Sequence, residues 1–142
     1  MQRDLATTPE LAEELRATLG RLIRRLRAEP GPPAPQLTVL GRLDRHGPAS
    51  ISDLADAERM RPQSMAQTVR DLEAAGLVSR RPDPDDRRRM FVDLTPEGRE
   101  ALRDTRARRN TWLAEMLEQE LDPRERELLR DAIALLDRIA AH

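Results

Sequence analysis

The chain has no cysteine among its 142 residues. Disulfides, thiolate metal sites, a cysteine nucleophile and a thiol redox switch are therefore excluded. Aromatic side chains are scarce, since there is one phenylalanine, one tryptophan and no tyrosine. No apolar run is long enough to span a membrane, and the opening MQRDLATTPE lacks the apolar segment of a signal peptide. We therefore expect a soluble cytoplasmic protein without a membrane partner.

Lysine is also absent, so arginine supplies all 25 cationic side chains, against 26 acidic ones. The arginines are unevenly distributed, because residues 59–92 carry 8 arginines and 5 acids, a net charge of +3, while both flanking segments are acidic. Phosphate attraction is local at physiological salt, because screening acts over about 8 Å. A basic centre in an acidic chain is thus compatible with DNA binding.

Leucines at helical spacing predict long helices on both sides of this centre. Thr8-Pro9, with Thr8 as N-cap, starts the first helix, which ends before a stiff connector at Pro30–Pro35. Downstream, Thr95-Pro96 starts a helix to about Gln119, and Asp122-Pro123 starts the last one.

The centre itself has a helix-turn-helix pattern. A helix over Gln36–Arg45 comes first, and Ser50 with Asp53 forms a predicted capping box that opens a short second helix. Pro62 then starts a third helix that runs to Ala75, where Gly76 suits a left-handed C-terminal cap.

Two extended runs, Leu77–Arg81 and Arg89–Leu94, flank the turn residues Pro82–Asp86. They predict a β-hairpin, called the wing below. The expected fold is mainly α with this small β-hairpin wing.

One face of the Pro62–Ala75 helix carries polar side chains that hydrogen-bond base edges well. Met65, Val69 and Leu72 lie on the opposite face, where they would join a core. An ordinary solvated helix face is the alternative interpretation. The candidate base-reading residues are Gln63, Ser64, Gln67, Thr68 and Arg70.

Five arginines crowd the wing: Arg80, Arg81, Arg87, Arg88 and Arg89. Asp83, Asp85 and Asp86 could neutralise them, which leaves a self-neutralised surface loop as one interpretation. The other is that a tip arginine enters a narrow A·T-rich minor groove. Asp86 would then hold Arg88 by a fork-shaped ion pair.

The segments SISDLADAERMRPQSMAQTVRDLEAAGL and GLVSRRPDPDDRRRMFVDLTPEGR resemble the helix-turn-helix and the wing of the multiple antibiotic resistance regulator (MarR) family of bacterial transcription factors. Over nearly the whole chain, the resemblance implies a triangular homodimer with a winged helix-turn-helix domain at 36–94. The segments 1–35 and 95–142 would supply N- and C-terminal dimerisation helices. In the wing, it implies a salt bridge between Asp86 and Arg88 and a DNA contact by Arg88.

The resemblance also implies a crevice that binds a small aromatic or drug-like effector. The missing tyrosine argues against a pocket built on tyrosine hydroxyls, and the missing cysteine excludes the peroxide-sensing branch. Arg61 stands where many members have a serine or threonine N-cap, and we expect it to meet phosphate instead. His46 and His142 are isolated, so we expect no enzyme, no metal and no cofactor.

The sequence thus predicts a repressor of MarR type that binds a pseudo-palindromic double-stranded operator and is released by an effector. The alternative is a winged-helix assembly module without DNA binding, suggested by the net charge of −1. The predicted DNA-binding residues are Arg61, Gln63, Ser64, Gln67, Thr68, Arg70, Arg81, Asp86, Arg87 and Arg88.

Overall fold

The computed structural model describes residues 6–142, which form six helices and three short strands. Residues 1–5, part of the predicted N-terminal segment, lie outside the described residues. The mainly helical fold with a small wing is confirmed. The elements are α1 (Thr8–Arg27), α2 (Ala34–His46), β1 (Ala49–Ser50), α3 (Ile51–Ala57), α4 (Pro62–Ala74), β2 (Val78–Pro82), β3 (Met90–Leu94), α5 (Pro96–Glu120) and α6 (Pro123–Ala140).

The outer helices begin at side-chain caps. Thr7, not Thr8 as the sequence predicted, is the N-cap of α1 and forms a capping box with Glu10. The Thr7 backbone N–H and hydroxyl both donate to the Glu10 carboxylate, and these bonds lower the pKa of Glu10. Asp122 starts α6 as its N-cap, as predicted, and forms the same kind of box with Glu125.

The core lies between α2, α3, α4 and the sheet. Leu40, Leu54, Met65 and Leu72 are fully buried there. Burying one such side chain stabilises a fold by about 1.5–3 kcal/mol, so this cluster fixes the orientation of α4.

The sheet has three antiparallel strands in the order β1-β3-β2, one more than the predicted hairpin. β1 is only the pair Ala49–Ser50, and Ser50 lies opposite Phe91 of β3. Two residues are too few to show an alternating pattern, so the sequence could not reveal this strand. Through it, the wing is hydrogen-bonded to the chain that enters α3.

Thr95 joins the start of α5 to the end of α4. Its hydroxyl accepts a hydrogen bond from the Gly98 N–H at 3.0 Å, which confirms the predicted cap. The same hydroxyl donates to the Gly76 carbonyl oxygen at 2.6 Å. Gly76 has a φ of +76°, the left-handed conformation expected of a helix C-terminal cap.

The chain divides into two compact units, one ending at Arg106 and the other covering Ala107–His142. The first contains the core described above. The second contains the end of α5 and all of α6, where Arg126 pairs with Glu118 at 3.2 Å. None of the helices between residues 6 and 142 is both long and apolar enough to cross a membrane.

Candidate nucleic-acid interface

The helix α4, called the reading helix below, is fixed in rotation by its buried side. Met65, Val69 and Leu72 are each fully buried, as their position on the apolar face of the predicted helix indicated. The opposite side is therefore exposed, with Thr68 half-buried at its margin. The exposed candidates on this face are Gln63, Ser64, Gln67 and Arg70.

Three side chains on that face are joined by hydrogen bonds. Arg70 Nη2 donates to Gln67 Oε1 at 2.9 Å, and Gln67 Nε2 donates to Asp71 Oδ1 at 2.9 Å. Thr68 instead donates to the carbonyl oxygen of Ser64, so its hydroxyl proton is used within the helix. Asp71 was not among the predicted site residues, although its position four after Gln67 is the spacing at which helical side chains meet. A carboxylate there can accept from cytosine N4.

The start of the reading helix lacks a side-chain cap. Arg61 is the N-cap residue and makes no capping hydrogen bond, as its residue type predicted. Arg59, in the turn before it, has a φ of +52°, a left-handed conformation that costs a non-glycine residue about 1–2 kcal/mol. Two exposed arginines thus lie just before the helix, Arg59 in the turn and Arg61 at the N-cap.

Backbone bonds close the tip of the wing. The Asp83 N–H donates to the Arg89 carbonyl oxygen at 2.9 Å, and the Arg89 N–H donates to the Asp86 carbonyl oxygen at 3.0 Å. The Asp86 carboxylate accepts from the backbone N–H of Arg88 at 3.0 Å. The predicted fork-shaped ion pair is therefore wrong for this structure, because Asp86 orders the Arg88 backbone rather than its guanidinium. A carboxylate two residues before an N–H forms this local turn readily.

Three wing arginines pair with acids outside the tip loop, on α3, α4 and β3. Their acidic partners do not include Asp83, Asp85 or Asp86, so the self-neutralised loop that the sequence offered as one interpretation does not form. Asp83 is instead buried and accepts the Asp85 N–H at 2.8 Å. Arg81, a predicted DNA contact, lies loosely beside Asp93 on the neighbouring strand. The pairs are Arg80–Glu73 at 3.2 Å, Arg81–Asp93 at 3.9 Å and Arg89–Asp53 at 2.8 Å.

Arg87 and Arg88 remain at the tip. Both are exposed, and neither has an ion-pair partner among residues 6–142. Two adjacent cations repel each other, and an outside anion would relieve that repulsion. The guanidinium groups of Arg87 and Arg88 are thus free to contact DNA phosphate or a minor groove, with the carboxylates of Asp85 and Asp86 beside them.

A helix with one core-packed face and one polar exposed face, followed by a hairpin with free cations, defines a winged helix-turn-helix DNA-binding protein. Comparison with known proteins agrees with this class. The MarR family model matches residues 33–90. The chain is 36% identical over 135 residues to an uncharacterised HTH-type transcriptional regulator of Mycobacterium bovis. This alignment covers 93% of this chain and 94% of that protein.

Two further relatives support the same assignment. A crystal structure of a proposed transcriptional regulator from Pseudomonas aeruginosa superposes with a TM-score of 0.81 at 40% identity, covering 93% of this chain and 94% of that one. The HTH-type transcriptional repressor NicR of Pseudomonas putida is 38% identical over 63 residues, 44% of this chain and 40% of NicR. The chain belongs to the MarR family, and it is a DNA-binding transcription regulator rather than an assembly module.

Proposed function

We propose that the protein is a homodimeric repressor that places one reading helix in the major groove of each operator half-site. The wing tip enters the adjacent minor groove. The single observation that carries the proposal is the exposed face of Gln63, Gln67 and Arg70, held outward by a fully buried opposite face. A two-fold dimer requires a pseudo-palindromic operator with half-site centres about 10–10.5 bp apart.

Exposed apolar side chains support dimerisation through the segments 1–35 and 95–142. On α1, Leu11 is 57% exposed and Ile23 is 45% exposed. On α6, Leu128 is 61% exposed and Ile139 is 65% exposed. Exposed apolar side chains that recur along a helix commonly mark a surface that a partner covers. Ile139→Glu should produce a monomer in sedimentation velocity, while Arg130→Glu on the same helix should leave a dimer; a dimeric Ile139→Glu variant would contradict the proposal.

Base reading is tested on a duplex selected by the wild-type protein from a random-sequence pool. Gln67→Ala should weaken binding by about 1–3 kcal/mol on the selected duplex and little on random DNA, because it removes a base contact and the anchor of Arg70. Gln119→Ala, an exposed glutamine outside the winged domain, is the matched control. Equal losses on both duplexes would show that Gln67 reads no base.

The wing contact is tested by the dependence of affinity on salt. Arg88→Ala should weaken binding and lower the slope of log affinity against log salt by about one unit, since one phosphate-region cation is lost. The neighbouring Arg87→Ala variant is the matched comparison and should lose less, because Arg88 is the proposed principal contact. An unchanged affinity and slope for Arg88→Ala would refute the wing assignment.

A small-molecule effector that releases the protein from DNA completes the proposal. It rests on family membership and on the named repressor activity of NicR. A titration of small aromatic acids, with benzoate as the first probe, should lower the anisotropy of the labelled operator complex. No release by any compound at millimolar concentration would remove the effector from the proposed function.

A further inference from the structure

Arg89 closes the base of the wing tip with its backbone. Its N–H and its carbonyl oxygen bond to Asp86 and Asp83, at 3.0 Å and 2.9 Å. The position of Arg89 therefore determines where the intervening residues lie, including the exposed Arg88 beside it.

The side chain of Arg89 reaches a different element. Its Nη2 donates to Asp53 Oδ2 at 2.8 Å and to Ser50 Oγ at 3.0 Å. Ser50 is buried, and its hydroxyl also accepts the Asp53 N–H at 3.1 Å as the N-cap of α3. One guanidinium thus joins the wing to the first turn of α3, across 36 and 39 residues of sequence.

This arrangement depends on the Asp53 carboxylate. The N-terminus of a helix carries a partial positive charge, which disfavours a cation placed beside it. The negative charge of Asp53 offsets both the partial charge of the helix N-terminus and the charge of Arg89. Arg89 would therefore leave the first turn of α3 if Asp53 were neutral. The Asp53 carboxylate, which was predicted to complete a capping box with Ser50, instead accepts a hydrogen bond from Arg89 of the wing.

We propose that Arg89 is a positioning residue: its bridge to Asp53 and Ser50 fixes the wing relative to the helix-turn-helix and so aims Arg88 at DNA. The inference rests on the proposed wing contact of Arg88. A direct phosphate contact by Arg89 is the competing explanation, and a bridge that only stabilises the fold is another. The three explanations predict different signs for the affinity change in Asp53→Asn and a different coupling of that change to Arg88→Ala.

The sign is tested with Asp53→Asn on the selected duplex. Removing an acid from a DNA-binding protein ordinarily strengthens binding, because it reduces repulsion of phosphate. Aiming by the bridge predicts the opposite, a loss of about threefold in affinity, the scale of an exposed ion pair. Asp56→Asn makes the same charge change on α3 at a residue that has no ion-pair partner within residues 6–142, and it should bind equally or slightly more tightly. Tighter binding by Asp53→Asn would overturn the proposal.

A double-mutant cycle separates aiming from a direct contact. In the Arg88→Ala background, Asp53→Asn should cause no further loss, because no tip contact remains to be aimed. A full, additive loss in that background would overturn the proposal. So would a fall in thermal midpoint that alone accounts for the loss of binding.

The position of the wing is measured without DNA, so this result stands apart from the proposed function. Because the chain has no cysteine, a variant with Asp85→Cys in the wing and Ala57→Cys in α3 carries spin labels at those two positions and nowhere else. Asp53→Asn should broaden the label-to-label distance distribution in pulsed electron paramagnetic resonance, whereas Asp56→Asn should not. An unchanged distribution in Asp53→Asn would overturn the positioning role even if the operator is bound.

Discussion

Gly98, in the first turn of α5, is predicted to be one of the least replaceable residues of the compact unit that ends at Arg106. A Cβ at this position would overlap the carbonyl oxygen of Leu77 and lie 3.0 Å from its carbonyl carbon. That oxygen already accepts the Thr95 N–H at 3.2 Å. The obstacle is hydrogen-bonded backbone rather than a flexible side chain, so α5 would have to move away from the residue that begins the wing.

The size of the effect follows from two opposed terms. Overpacking costs about 1–3 kcal/mol, and a rigid Cβ against backbone lies at or above the upper end of that range. Alanine regains about 1 kcal/mol over glycine within a helix. Gly98→Ala should therefore lose about 2 kcal/mol of unfolding free energy, which is the difference between these terms.

Urea unfolding at one fixed protein concentration measures this loss. For a slope of about 1–3 kcal/mol per molar urea, the midpoint should fall by about 1 M. Gly20→Ala is the matched control, because its Cβ would meet only the flexible end of Arg24, 3.4 Å away. That variant should gain about 0.5–1 kcal/mol. If Gly98→Ala were as stable as Gly20→Ala, the argument from the Leu77 carbonyl would be wrong.

Three further substitutions test the reading helix and its core. Arg61→Ser supplies the missing N-cap acceptor, so the free energy of unfolding should rise by about 1 kcal/mol while the affinity for DNA at low salt falls. A rise in both stability and affinity would contradict a phosphate role for Arg61. Arg59→Gly relieves the left-handed φ of +52° and should gain about 1 kcal/mol in chemical unfolding, whereas Arg59→Ala should gain nothing. Leu40→Ala opens a cavity at a fully buried position and should lose about 2–5 kcal/mol, so a loss below 1 kcal/mol would mean that the core relaxes around it.

Local chemistry could be predicted from the sequence because its partners are close along the chain. Ser50, Asp122 and Thr95 cap helices through an N–H three residues later, and the structure contains all three bonds. The apolar face of the reading helix was predictable for the same reason, since helical periodicity repeats within a few residues. The N-cap of α1 was misplaced by one residue because Thr7 and Thr8 offer the same hydroxyl.

Partners distant in sequence could not be predicted in this way. Arg89 meets Asp53 and Ser50 only after β1 has paired with β3, and β1 is too short to have a pattern of its own. Asp86 is predicted to pair with Arg88, a different arginine and a near neighbour in sequence. Its carboxylate is in fact taken by a backbone N–H two residues away, a bond that closes a much smaller loop than an ion pair between two side chains.

The overall charge of −1 does not oppose DNA binding, because some arginines of the wing are paired with acids while others are left unpaired. The three arginines on the strands and at the closing residue of the turn are paired with acids on α3, α4 and the neighbouring strand, so they hold the hairpin in shape. The two between them, Arg87 and Arg88, are exposed and unpaired among the described residues. Since screening limits each charge to about 8 Å at physiological salt, acids on the outer helices beyond that distance have little effect on the tip. Two unpaired guanidinium groups on a braced loop are therefore available to a phosphate that approaches the wing, beside the carboxylates of Asp85 and Asp86.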